Sequence, residues 1–216
     1  MVSQSPTSTT KSDRKSRATN AIIACWLTCI VSILAILSPS SGGYGFISWS
    51  WHPLLLIVGI YGLMPIGLLA YTLGTGSREA SRFKHGLIMA GGGVCMYLGY
   101  AVAWYIHESK AHRHLPLLPP AQPLIKSLHI YGGLLVLVAV AAQALMGTLK
   151  ARRLVESGER IFTWHGAAGP WVWAASAGIA STGVYMPFIQ KGGGTIVGGL
   201  LIAASAAAVA FVFAAL

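Results

Sequence analysis

Residues 128–149 read LHIYGGLLVLVAVAAQALMGTL, twenty-two residues without a charge that begin beside a histidine. A hydrocarbon core of about 30 Å takes roughly 20 residues of α-helix to cross, so this stretch predicts a membrane span. Five further stretches read the same way, at about 19–38, 52–74, 85–106, 165–186 and 195–216. Together the six consume most of the 216 residues, which predicts one all-α integral membrane domain over 19–216 and leaves no room for a separate soluble one. Any chemistry has to be built inside the helices. A charged content of 9% agrees, because soluble domains carry about one quarter charged residues.

Residues 1–18, rich in Ser, Thr and Lys, read as a disordered cytoplasmic head. The apolar run from Ala21 to Leu37 is longer than a signal-peptide core and no small-residue cleavage site follows it, so the first span is expected to be retained. The chain stops at Leu216 inside the sixth stretch, which leaves room for a continuation beyond it. Cys25, Cys29 and Cys95 all fall within spans and read as small buried apolar side chains.

The net charge of +10 does not point to nucleic acid, because the basic residues are dispersed into connections beside the spans. Lys11, Arg14, Lys15 and Arg17 precede the first span; Arg78, Arg82 and Lys84 follow the second; Lys150, Arg152, Arg153 and Arg160 follow the fourth. These eleven share one side of the bilayer, against Lys110, Arg113, Lys126 and Lys191 on the other. The excess puts the N-terminus in the cytoplasm and, after six crossings, the C-terminus there too. On the other side, residues 39–51 form an uncharged loop ending in Trp49 and Trp51. The longer connection over 107–127 contains His107, His112, His114 and a Pro-rich run that cannot continue a helix.

Four of the seven histidines, His52, His85, His129 and His165, stand at the starts of four successive spans. An ionisable group at membrane depth is a functional signal by default. Helix direction alternates, so His52 and His129 share the outer depth and His85 and His165 the cytoplasmic depth. In an up-and-down bundle of spans two to five, alternate helices are diagonal, and each pair faces itself across the core. Two opposed imidazoles suit the axial positions of a haem iron, whereas zinc would ask for further Asp, Glu or Cys ligands that the spans do not offer. The pattern therefore predicts two b-type haems per chain, roughly 20 Å apart across the core. With both axial positions filled, one-electron transfer is the chemistry expected.

At these residues the chain resembles the cytochrome b561 family of ascorbate-dependent, di-haem transmembrane reductases, and among them the short stand-alone members. The likeness runs over about 20–190 and rests on WHPLLLIVG around His52, RFKHGLIMAGG around His85, KSLHIYGGLL around His129 and TWHGAAGPW around His165. The resemblance implies a core of spans two to five flanked by spans one and six. His52 and His129 would ligate the non-cytoplasmic haem iron, and His85 and His165 the cytoplasmic one. It also implies electron transfer from cytoplasmic ascorbate to monodehydroascorbate or ferric chelates beyond the membrane, in an endomembrane, vesicle or plasma membrane. The matching substrate positions are Arg82, Lys84 and Arg160 for the ascorbate anion and His107 for the outer substrate. Two departures stand out: LLAYT places Thr72 where many relatives carry a basic residue, and SLHIY replaces the usual Ser-Leu-His-Ser-Trp. A homodimer is compatible with this reading. Two other function classes fit the composition: a haem-bearing anchor relaying electrons for a protein partner, and a haem-free transporter or scaffold.

Overall fold

The computed structural model describes residues 11–39, 45–74, 76–110, 124–190 and 195–216, and for 107–110, 186–190 and 195 the backbone alone. Among them there is helix and no strand. The chain runs through α1 (Lys11–Leu37), a short turn, α2 (Trp51–Ile57), a π-helical turn (Val58–Leu63), α3 (Met64–Leu68), α4 (Ala70–Leu73), α5 (Arg78–Lys110), α6 (Leu124–Glu156), α7 (His165–Gln190) and α8 (Thr195–Ala215). Five segments are both long and apolar enough to cross a membrane: Lys11–Leu37, Ser48–Leu68, Arg78–Ile106, Leu124–Glu156 and Ile196–Ala215. α7, 26 residues long, is not in that set, which covers the described residues alone.

Several helices outrun the apolar stretches that predict them. α5 and α6 are 33 residues each, about 50 Å at 1.5 Å per residue, so their polar ends project beyond a core of about 30 Å. α1 begins at Lys11, so residues 11–18 are helical where the disordered head is expected to reach residue 18. The extension is anchored by Ala18, which is fully buried, and by the Thr19 hydroxyl donating to the Lys15 carbonyl at 3.0 Å.

The second stretch is not one regular helix. Pro65 has no N–H to offer the carbonyl four residues back, and the backbone widens into the π-helical turn just before it. The widened turn presents the Ile60 carbonyl to the buried indole of Trp173 on α7, whose Nε1–H donates to it at 2.7 Å. Beside it Tyr61, also buried, donates to the Ala177 carbonyl at 3.0 Å and lies against the hydroxyls of Ser181 and Ser205, linking α7 and α8. Polar ties of this kind hold helices together where lipid gives no hydrophobic drive between them.

Small residues set the closest approaches. A Cβ on Gly59 would sit 2.7 Å from the Gly92 carbonyl, so the π-helical turn and α5 pack almost backbone to backbone. α1 lies along α8 through Ala18, Ala21, Cys25 and Thr28 on one side and Leu201, Ser205 and Ala208 on the other. The opposite surfaces expose Leu27, Leu34, Leu87, Leu98, Leu135 and Leu200. Bands of large exposed apolar side chains on this scale fit lipid as the surrounding solvent.

Candidate functional site: two facing histidine pairs

His52 is the second residue of α2 and His165 the first of α7, as their positions predict, whereas α5 and α6 begin seven and five residues before His85 and His129. The polar residues ahead of those two histidines extend the helices instead of ending them. The positive end of the α5 dipole therefore lies at Arg78, not at His85 as expected, while that of α7 does fall at His165.

The four imidazoles come together as two pairs. His52 faces His129 with ring centroids 6.2 Å apart and ring planes at 86°. His85 faces His165 at 6.3 Å and 90°. The pairs join α2 to α6 and α5 to α7. Their separation follows from α5: the His52 ring meets the carbonyl of Gly99, fourteen residues beyond His85. At 1.5 Å per residue the two levels are about 21 Å apart.

Hydrogen bonding selects the tautomer. Nδ1 of His52 lies 2.9 Å from the Gly99 carbonyl, Nδ1 of His85 lies 2.8 Å from that of Gly67, and Nδ1 of His129 lies 3.1 Å from that of Ile179. A carbonyl can only accept, so Nδ1 carries the proton in all three and Nε2 keeps its lone pair. That is the usual arrangement of a metal-binding histidine, ring oriented and basicity raised by a second partner. His129 has a further contact, with the Thr182 hydroxyl at 3.3 Å.

Do the pairs fit a haem? A metal–imidazole nitrogen bond is about 2.0 Å and the ring centre lies roughly 1.1 Å beyond the nitrogen, so an iron held in line between two imidazoles separates their centroids by about 6.2 Å. The observed separations match. Among the described residues no group of three or more His, Cys, Asp or Glu side chains gathers to hold a bare metal ion. Two ligands suffice only where a macrocycle supplies the rest. Glycines leave space at the rings as well. A Cβ on Gly183 would collide with the His129 ring, and one on Gly147 would lie 3.1 Å from Cε1 of His165.

The other predicted residues are less tightly gathered. Arg82 and Lys84 stand on α5 within one turn of His85, the first half-buried and the second exposed, and Arg160 is exposed in the connection leading to His165. The side chain of His107 lies outside the described residues, as do His112 and His114. Arg152 is engaged by Glu156 at 2.7 Å in an exposed ion pair.

Lys150, which the sequence marks only as a topology determinant, has a more specific place. Its Nζ donates to the Phe162 carbonyl at 3.3 Å, and the same carbonyl accepts the His165 main-chain N–H at 3.0 Å. Phe162 has φ +47°, a left-handed conformation that a bulky side chain adopts at a cost of order 1–3 kcal/mol. The turn that presents His165 is thus pinned from α6. Tyr71 adds a ring 5.6 Å from His85, and Trp49 one 5.5 Å from His52. The Tyr71 contact is not visible in a linear pattern, because the two residues lie on different helices.

The family model described as eukaryotic cytochrome b561 matches residues 51–186, well over half the chain and inclusive of all four histidines. No curated protein matches the chain. A match of this extent, on a helical chain whose histidines face each other in pairs, makes the chain a member of the eukaryotic cytochrome b561 family.

Proposed function

We propose that the chain carries electrons from cytoplasmic ascorbate, through one haem b at each histidine pair, to monodehydroascorbate or a ferric chelate on the other side. Membership of the family brings with it haem b, oxidoreductase chemistry, an integral membrane setting and transmembrane electron transfer. The observation that carries the finer reading is the pair of perpendicular imidazole couples at 6.2 and 6.3 Å. In this reading α7 is the fifth of six crossings. Its 26 residues span about 39 Å, and its polar side chains turn inward, as Ser176 and Trp173 do by burial. α2 to α7 then form the haem-bearing bundle, with α1 and α8 at its flank.

When bound, haem b supplies a reversible one-electron couple, and two imidazoles leave its iron no open coordination site. The protein's own part is to hold Nε2 of His52, His85 and His129 toward the iron by keeping the proton on Nδ1. At the cytoplasmic mouth Arg82, Lys84 and Arg160, with Lys150 behind them, raise the local concentration of an anionic donor. The α7 dipole adds to that field at His165. At the outer mouth His107 is the group suited to a monodehydroascorbate radical or a ferric ion.

The test is a visible spectrum of detergent-purified protein with and without ascorbate, together with a pyridine haemochrome assay. A Soret band, reduction by ascorbate alone and a haem ratio near two per chain are the expected results. A ratio near one would reduce one pair to a structural contact. Failure of ascorbate to reduce either haem would remove it as donor.

A further inference from the structure

Three of the four candidate ligands give their Nδ1–H to a main-chain carbonyl, but His165 does not: its Nδ1 is buried without a partner. One other side-chain atom among the described residues is buried and unpartnered, Oε1 of Gln143. The two are chemical complements. A ring whose Nε2 faces a metal has only a donor at Nδ1, and an amide oxygen only accepts.

They also stand on helices packed against each other, α6 and α7. Gln143 lies one helical turn from Gly147 on the same face of α6, and a Cβ on Gly147 would sit 3.9 Å from the His165 Nδ1. Buried polar groups are rarely left unpaired, least of all where no bulk water reaches them. We infer that Gln143 is the positioning residue of His165, its side-chain carbonyl accepting the Nδ1–H directly after an amide rotation or through one bridging water. The inference rests on the reading that the His85 and His165 pair holds a haem.

Such a bond does for His165 what the Gly99, Gly67 and Ile179 carbonyls do for the others. It keeps the proton on Nδ1, fixes the ring about its bonds and pushes electron density toward Nε2. A more basic imidazole favours ferric over ferrous iron. Gln143 therefore lowers the midpoint potential of its own haem and slows loss of ferric haem from it.

Gln143→Met retains length and volume but removes the acceptor. Spectroelectrochemical titration should show the potential of the haem at His85 and His165, identified as the one lost in His85→Ala, rising as its ferric-to-ferrous preference falls about tenfold, which is 59 mV for one electron. Transfer of ferric haem from that site to apomyoglobin should quicken about tenfold. The haem at His52 and His129 is the internal reference and should not move, which also reports that the variant is folded. Gln143→Glu, which restores an acceptor oxygen, should return the potential to the wild-type value or below it. A Met variant with both potentials and haem retention unchanged overturns the inference, and so does a Glu variant that behaves like Met. Wild-type protein without haem at that site would instead overturn the proposed function, and is seen before any variant is made.

Discussion

Gly183→Ala adds a single methyl group and tests whether the His129 ring is held by a metal. The new Cβ would overlap Cε1 of that ring and come within 2.9 Å of Nδ1 and 3.1 Å of Nε2. Carbon contacts settle near 3.5–4.0 Å, so the ring has to retreat by about 1 Å. A free imidazole could swing aside at little cost. One bound to iron cannot, because ligand distances tolerate only about 0.2 Å. The retreat also stretches the 3.1 Å bond from Nδ1 to the Ile179 carbonyl. Disturbing such a supporting bond typically lowers metal affinity 10–100-fold, about 1.4–2.8 kcal/mol, and displacement of the ligand adds to that. Gly178→Ala is the matched control on the same helix: its Cβ would meet nothing within 4 Å, and it should gain the roughly 0.5–1 kcal/mol by which alanine exceeds glycine in a helix. Haem content by pyridine haemochrome, and the rate of haem transfer to apomyoglobin, report the outcome. Gly183→Ala should lose the haem of the His52 and His129 pair first and keep the other. Equal retention of both haems in Gly183→Ala and Gly178→Ala would refute the reasoning.

Other expectations follow from the same geometry. His129→Ala should remove one haem and leave the second, and His85→Ala should do the reverse, as counted by haemochrome and resolved spectrally; loss of both in each folded variant would break the pairing. The double variant Arg82→Ala, Lys84→Ala should need several-fold more ascorbate for half-reduction, with the difference shrinking at 1 M salt, where the screening length is about 3 Å. An unchanged ascorbate dependence would leave those residues to topology. Trp173→Phe strips the Ile60 carbonyl of its indole donor and should lower thermal stability by about 1–3 kcal/mol, read as a reduced melting temperature of the detergent-solubilised holoprotein. A melting temperature equal to wild type would mean that another donor, or the helix itself, satisfies that carbonyl.

Much of this architecture was legible along the chain, since membrane helices must satisfy every backbone group internally and so announce themselves by length and apolar content. His52, His85, His129 and His165 stood out because ionisable residues are scarce at such depth, and alternating helix direction was enough to sort them into pairs. The family resemblance carried by their flanking motifs agrees with the family match over residues 51–186. Other features depended on contacts between helices, which no linear pattern records. The extension of α5 and α6 past their apolar runs was hidden, because polar residues continue a helix as readily as they end one. The π-helical turn could be suspected from Pro65, yet its partner Trp173 lies more than a hundred residues away. The same is true of the tautomers. Which carbonyl meets the Nδ1 of His52, His85 and His129 follows from the approach of neighbouring helices to within hydrogen-bonding range. Residue type and order determined what the chain could bind; the packing of the helices decided how each ligand is oriented.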